Sequence, residues 1–206
     1  MKYIAMILAV LMCLSVFAAC GSDEGGTQSD DNGTKNESKE PTYTPYNVGD
    51  ITVDIPDGWK AFGNTDIHAD DPTTISKRSV NVCKGGVTEA DIFTKPYVKI
   101  DYYGSDIYMM APDKSFYENV VDVAPVELGG RTWSGFSCES LGYPIIILTA
   151  ENGDDQFQVN IFRGQDDDAI SLEDEEVKRI IASITVNETA DSSESSEDSS
   201  ADTTAE

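Results

Sequence analysis

The chain has 206 residues, with 38 Asp+Glu against 14 Lys+Arg, a formal net charge of -24. So acidic a surface excludes phosphate-backbone binding, which needs a basic patch, and with it nucleic acid as a partner. It also argues against electrostatic docking on anionic lipid.

Met1-Lys2 and the mostly apolar run from Tyr3 to Ala18 have the layout of an export signal. The run is shorter than the roughly 18 to 20 residues that span a bilayer core, and no basic stop-transfer segment follows it. It ends in Phe17-Ala18-Ala19-Cys20-Gly21-Ser22. Small residues directly before a cysteine at the end of an apolar run resemble the lipobox of bacterial lipoproteins. The resemblance implies cleavage after residue 19 and a lipid on the Cys20 sulfur. Phe17 departs from the usual leucine, which implies slower processing. An ordinary secretory signal, cleaved after Val16 and Ala18 as the small-residue pair, is the competing reading. Two acyl chains hold a protein far better than the marginal single one.

Residues 20–46 hold 6 acids and 2 bases, are rich in Gly, Ser, Thr, Asp and Asn, and read as a disordered spacer. Residues 47–187 hold 25 acids and 11 bases, a balance of -14, and suit one compact domain. Residues 188–206 hold 7 acids and no base and read as a disordered acidic tail.

Within the domain, Ile51-Thr52-Val53-Asp54-Ile55 alternates and ends at Pro56-Asp57-Gly58, a strand closed by a turn. A second strand is expected over Ser79–Cys83, then a short helix over Thr88–Phe93. Tyr97–Tyr102 alternates again, and Pro112 to Tyr117 opens a short helix. Val123–Leu128, Gly129-Gly130 and Arg131–Glu139 predict a hairpin, because paired glycines supply the positive φ of a tight turn. Tyr143–Thr149 is apolar enough for the middle of a sheet, and Gln156–Phe162 alternates. A final helix is expected from an N-cap at Ser171, with Asp174 three residues on. Its apolar stripe is Val177, Ile180, Ile181 and Ile184. The fold class that follows is α+β: a single domain with an antiparallel β-sheet and the C-terminal helix packed on it.

Ile55-Pro56-Asp57-Gly58-Trp59, the hairpin ending Trp133-Ser134-Gly135-Phe136, and the terminal Ile180-Ile181-Ala182-Ser183-Ile184 are together similar to the PsbP-like fold. A photosystem extrinsic subunit, a Ran-binding protein and many small bacterial lipoproteins share that fold. The resemblance spans residues 47–187 and carries no catalytic signature to transfer.

Candidate chemistry is sparse. Cys83 and Cys138 are the only thiols of the domain. In an exported protein they are candidates for a disulfide, and equally for two small core residues. The sole histidine, His68, lies far along the chain from both, so no activated thiol is indicated. Asp166-Asp167-Asp168 with Glu173–Glu176 is the densest acidic stretch, but it lacks a calcium-loop spacing and reads as a solvated turn and a helix-dipole complement. Tyr97, Tyr102, Tyr103, Tyr108 and Tyr117, with Met109-Met110, form an aromatic middle third suited either to sheet positions or to a binding surface. No catalytic, cofactor or metal residue is assigned, and no cofactor is expected. Two functions fit. One is a non-catalytic binding or accessory module of the cell envelope, anchored extracytoplasmically through Cys20, with the membrane and an envelope protein as partners. The other is an extracytoplasmic hydrolase using paired carboxylates, which needs two acids about 5–10 Å apart across a cleft.

Overall fold

Alternation along the strands sets two faces that have to be covered separately. The computed structural model describes residues 42–152, 155–164 and 168–188. The signal segment, Cys20, most of the spacer, the acidic tail after residue 188, and Asp166 and Asp167 lie outside the described residues.

The elements run β1 (Tyr43–Asn47), β2 (Ile51–Pro56), β3 (Trp59–Thr65), β4 (Ile75–Lys84), β5 (Tyr97–Tyr102), β6 (Glu118–Leu128), β7 (Arg131–Ser140), β8 (Tyr143–Asn152), β9 (Asp155–Phe162), α1 (Glu175–Ala182) and β10 (Thr185–Val186). Short 3-10 turns occupy Glu89–Phe93 and Lys114–Phe116. A seven-stranded sheet has the order β3-β4-β5-β9-β8-β7-β6, and a small sheet has the order β1-β2-β10. All pairings are antiparallel. The domain is α+β, with α1 packed on the sheet.

The main core lies between the large sheet and the layer of α1 and β2. Val80, Val82, Val98, Ile100, Trp133, Leu148, Phe157 and Val159 point into it from the sheet, and Ile51, Val53, Val177, Ile180, Ile181 and Ile184 close it. All four residues of the expected helix stripe are buried. Phe136, Cys138, Ile145 and Ile147 form a second cluster on the opposite face of the large sheet. The β5–β6 connection covers part of it. Tyr117 meets the Phe136 ring edge-on, and the Lys114 ammonium sits 5.6 Å from the same ring's centroid.

Several boundaries differ from expectation. β1 falls inside the segment read as spacer, so the domain begins before residue 47. Its side chains are mostly exposed, which hides it from any hydrophobic pattern. Backbone pairing with β2 from Tyr43↔Pro56 to Asn47↔Thr52 holds it, with Arg179 over the Tyr43 ring. β3 had no forecast beyond Trp59, β6 starts earlier than Val123, and the two-residue β10 is too short to be seen in sequence. The last helix starts at Glu175, with Asp174 rather than Ser171 at its N-cap. Ser171 and Asp174 do interact. The Asp174 carboxylate accepts from the Ser171 amide at 2.9 Å and hydroxyl at 3.1 Å, and the Ser171 hydroxyl accepts from the Glu173 amide at 3.2 Å. That reciprocal pair closes a turn before the helix instead of its first turn.

The hairpin behaves as expected. Gly129 and Gly130 have φ of 60° and 74°. Gly135 has a different task. A Cβ there would lie 1.9 Å from the Ile147 carbonyl oxygen of β8, so the strand pair accepts only a hydrogen. Gly135→Ala is expected to destabilise the domain by about 2–3 kcal/mol. Urea unfolding checks this: the midpoint should fall with its slope unchanged, and an unmoved midpoint would show that the pair can open to admit a methyl.

Candidate functional site

One groove stands out on the domain. It is open, has a volume of about 850 Å³, and lies at the end of the sheet where β3 and β5 finish and β4 begins. Asp50, Asn64 to His68, Thr74 to Ser79, Lys99, and Asp101 to Tyr103 line it, with Asp106 and Ile107 from the start of the β5–β6 connection. Three of the domain's cations, Lys77, Arg78 and Lys99, face it together with His68.

Arg78 organises the wall. Its Nε donates to Asp50 Oδ2 at 2.7 Å, and its Nη1 donates to Asp106 Oδ1 at 2.7 Å and to the Tyr103 carbonyl at 3.2 Å. The guanidinium lies 5.8 Å from the centroid of the Tyr102 ring. One residue of β4 thereby fixes the start of β2 and the exit from β5. Its own pKa is raised, first by the Asp106 hydrogen bond. The same bond holds the Asp106 carboxyl below its ordinary range. Tyr102 is pushed up to about 12, by burial first and then by its hydrogen bond to Asp155.

A second network crosses β4, β3 and β5 on the face of the sheet opposite to Arg78, which shares the parity of Val80 and Val82. Asn81 Nδ2 donates to Asn64 Oδ1 at 2.6 Å, Asn64 Nδ2 to Ser79 Oγ at 2.8 Å, and Ser79 Oγ to Asp101 Oδ1 at 2.6 Å. The Lys99 ammonium closes on Asp101 at 2.9 Å. Asn81 is buried at 4 % exposure, and its Oδ1 has no hydrogen-bond partner. Ser79 thus spends its proton on a carboxylate that also holds an ammonium, with no imidazole between them. The arrangement can present fixed donors and acceptors to a polar ligand. It does not resemble a serine activated by a base.

The sequence-level candidates scatter. Tyr102 and Tyr103 reach the groove. Tyr97 instead stacks on Phe162 with centroids 4.3 Å apart, Tyr117 packs on Phe136, and Tyr108 is exposed. Met109 is buried and Met110 exposed. Cys83 and Cys138 are both free and buried, so the disulfide is not formed. The topology forbids it: β4 and β7 are separated by three strands. Four spacings of about 4.8 Å put them some 19 Å apart, against the roughly 7 Å that a disulfide tolerates between Cα atoms. Burial raises both thiol pKa values, which makes them inert core residues. Among the described residues, no group of three or more His, Cys, Asp or Glu is placed to hold a metal ion. None of Asp50, Asn64, Arg78, Ser79, Lys99 and Asp106 was singled out from sequence. The one available signal was Ser79-Val80-Asn81-Val82 and Lys99-Ile100-Asp101, whose polar positions share a parity and hence a face.

Neither the known protein families nor the curated proteins contain a match to this chain.

The pairing with Arg78 gives a pH dependence with a definite sign. A carboxyl whose folded pKa is depressed stabilises above its ordinary pKa, about 3.9 for Asp, and that contribution is lost as pH falls through the folded value. In Arg78→Ala the Asp106 carboxyl is expected to titrate at a higher pH than in the native protein. Carboxyl-carbon NMR titration reads this directly. Identical Asp106 titrations in the two proteins would mean that the ion pair is absent in solution.

Proposed function

We propose that this chain is a lipid-anchored extracytoplasmic protein whose domain is a non-catalytic binding module, with the Arg78 groove as its binding site. The observation that carries the reading is the prebuilt wall: Asp50, Arg78 and Asp106 on one side, and Asn64, Ser79, Asp101 and Lys99 on the other. Polar groups fixed in advance lower the ordering cost of binding. A groove with exposed Ile67 and Ile75 at its margin offers apolar contact beside them. The anchor reading rests on Ala18-Ala19-Cys20 after an apolar run too short to span a bilayer. The PsbP-like assignment is kept as part of this proposal, supported by the antiparallel sheet, the Gly129-Gly130 hairpin and the closing helix.

Hydrolysis by paired carboxylates is the less favoured reading. It needs one acid held neutral at working pH. In the groove Asp106 is pushed the other way by Arg78, and Asp101 is bound to both Lys99 and Ser79.

Two measurements test the proposal. Incorporation of a labelled fatty acid into the chain should be lost in Cys20→Ala, and unchanged incorporation would remove the anchor. A photo-crosslinking residue in place of Ile67 should give a reproducible adduct on native envelopes that disappears when Arg78→Ala is added with folding intact. The same residue in place of the remote Glu127 should give none. Equal adducts from both positions, or insensitivity to Arg78→Ala, would sink the groove as the binding site.

A further inference from the structure

The position at which the chain enters the domain has a consequence for its orientation. Thr42 hydrogen-bonds through its hydroxyl to the Asp57 carboxylate, and its carbonyl accepts from the Asp57 amide at 3.0 Å. Asp57-Gly58 leads directly into Trp59, the first residue of β3, which pairs with Lys84 at the end of β4. The entry point therefore lies at the end of the large sheet where β4, β7 and β9 finish and β3, β5, β6 and β8 begin.

The loops of that same end carry exposed apolar side chains. Val87 and Phe93 belong to the β4–β5 connection and are 68 % and 77 % exposed. Leu141, in the two-residue turn between β7 and β8, is 96 % exposed, and Tyr143 beside it is 55 % exposed. Leu141 sits at φ 53°, in the left-handed region where Gly, Asn or Asp is the usual choice. A branched apolar residue there is unfavourable both for the backbone and for solvation. β9 alone separates β5 from β8, so the nearest strands of the two connections lie about 10 Å apart at that end of the sheet. The groove lies at the other end, and so does Asn187, whose amide bonds the Asp50 carbonyl.

We infer that the end bearing Val87, Phe93, Leu141 and Tyr143 rests on the lipid bilayer, with these tips in the headgroup–acyl boundary and the groove held outward. The inference rests on the lipid anchor proposed above. The composition of residues 20–41 is that of a Gly/Ser-type linker, and a linker of that length and type would have a root-mean-square reach of about 25 Å. An anchored domain stays within that distance of the membrane, so weak apolar contacts act as intramolecular ones at high effective concentration. The contact is apolar rather than electrostatic, because a domain at -14 is repelled by anionic headgroups. Added salt should therefore leave it intact or strengthen it.

The full chain, purified in detergent and reconstituted into phosphatidylcholine vesicles with brominated acyl chains, tests this. Flotation of the chain cleaved before Cys20 reads the lipid anchor. Trp59 and Trp133 are buried at 8 % and 0 % exposure, so a tryptophan introduced at the surface reports its own surroundings by difference. Leu141→Trp and Phe93→Trp should each add emission that is shifted to the blue and quenched by the brominated chains, in low and high salt alike. Ile67→Trp, at the groove end, should add emission that is neither shifted nor quenched. A chain that floats while Leu141→Trp and Phe93→Trp emission remains unquenched, or while Ile67→Trp is quenched equally, overturns the orientation and leaves the anchor standing. A chain that fails to float removes the anchor and the orientation with it.

Discussion

The parity of the seven-stranded sheet is the constraint on which the rest depends. Side chains alternate with a period of two, so a slip of one residue in any pairing would exchange its two faces. One parity supplies Val80, Val82, Ile100, Leu148, Val159 and Trp133 to the main core. The other parity changes character across the sheet. Over β7 and β8 it is apolar, with Phe136, Cys138, Ile145 and Ile147. Over β3, β4 and β5 it is polar, with Asn64, Ser79, Asn81, Lys99 and Asp101. Gly135 guards the register physically, since the Ile147 carbonyl occupies the space that any Cβ would need. The polar half of the second face supplies one side of the groove, and Arg78, at the core-face parity, supplies the other with Asp50 and Asp106.

The scarce cations of this acidic domain serve as ties between elements that the sheet ladder does not join. Arg78 connects β4 to Asp50 at the start of β2. Arg179 of α1 donates to Asp54 of β2 at 2.7 Å and also covers Tyr43 of β1. Arg131 of β7 donates to the Ile184 carbonyl just past the end of α1, where a cation meets the negative end of the helix dipole. Its guanidinium lies 4.4 Å from the centroid of the Phe157 ring. Burial lowers its pKa, and its Nε is left without a partner. Arg78 and Arg131 tie the small sheet and the helix to the large sheet across the apolar core, and Arg179 ties the helix to β1 and β2 within their own layer. They explain how a domain with more than twice as many acids as bases keeps its layers together. The excess carboxylates are left at the surface, where water screens them.

What was legible in the sequence divides along the same physical line. Strands that contribute to the core announce themselves by alternation, as in β2, β5 and β9, or by an apolar run, as in β8. The Gly129-Gly130 turn was legible because both positions require φ > 0, and the helix because its stripe repeats at 3.6 residues. β1 was not, since it is held by its backbone and by one tyrosine under Arg179. The start of α1 was misplaced because Ser171 and Asp174 satisfy each other in a turn just before it. The groove was hardly legible at all. Its residues come from β3, β4, β5 and three connections, and only the fold brings Asp50, Arg78 and Asp106 within hydrogen-bonding distance. The aromatic middle third drew notice instead, yet most of it packs against neighbours or faces solvent away from the groove. Cys83 and Cys138 looked pairable because sequence separation carries no information about the three strands between them.

Antiparallel order turns these separate observations into one layout. Because every neighbour runs the opposite way, each end of the sheet collects alternate connections. One end gathers Asp57-Gly58, the β4–β5 loop and the β7–β8 turn, and the chain enters there at Thr42. The other gathers the β3–β4 loop, the exit from β5 and the junction of β2 with Asn187. The loops that shape the groove and the connections that expose Val87, Phe93, Leu141 and Tyr143 thus lie at opposite ends of the sheet. In the proposed orientation, the length of the sheet would set how far from the bilayer the groove stands.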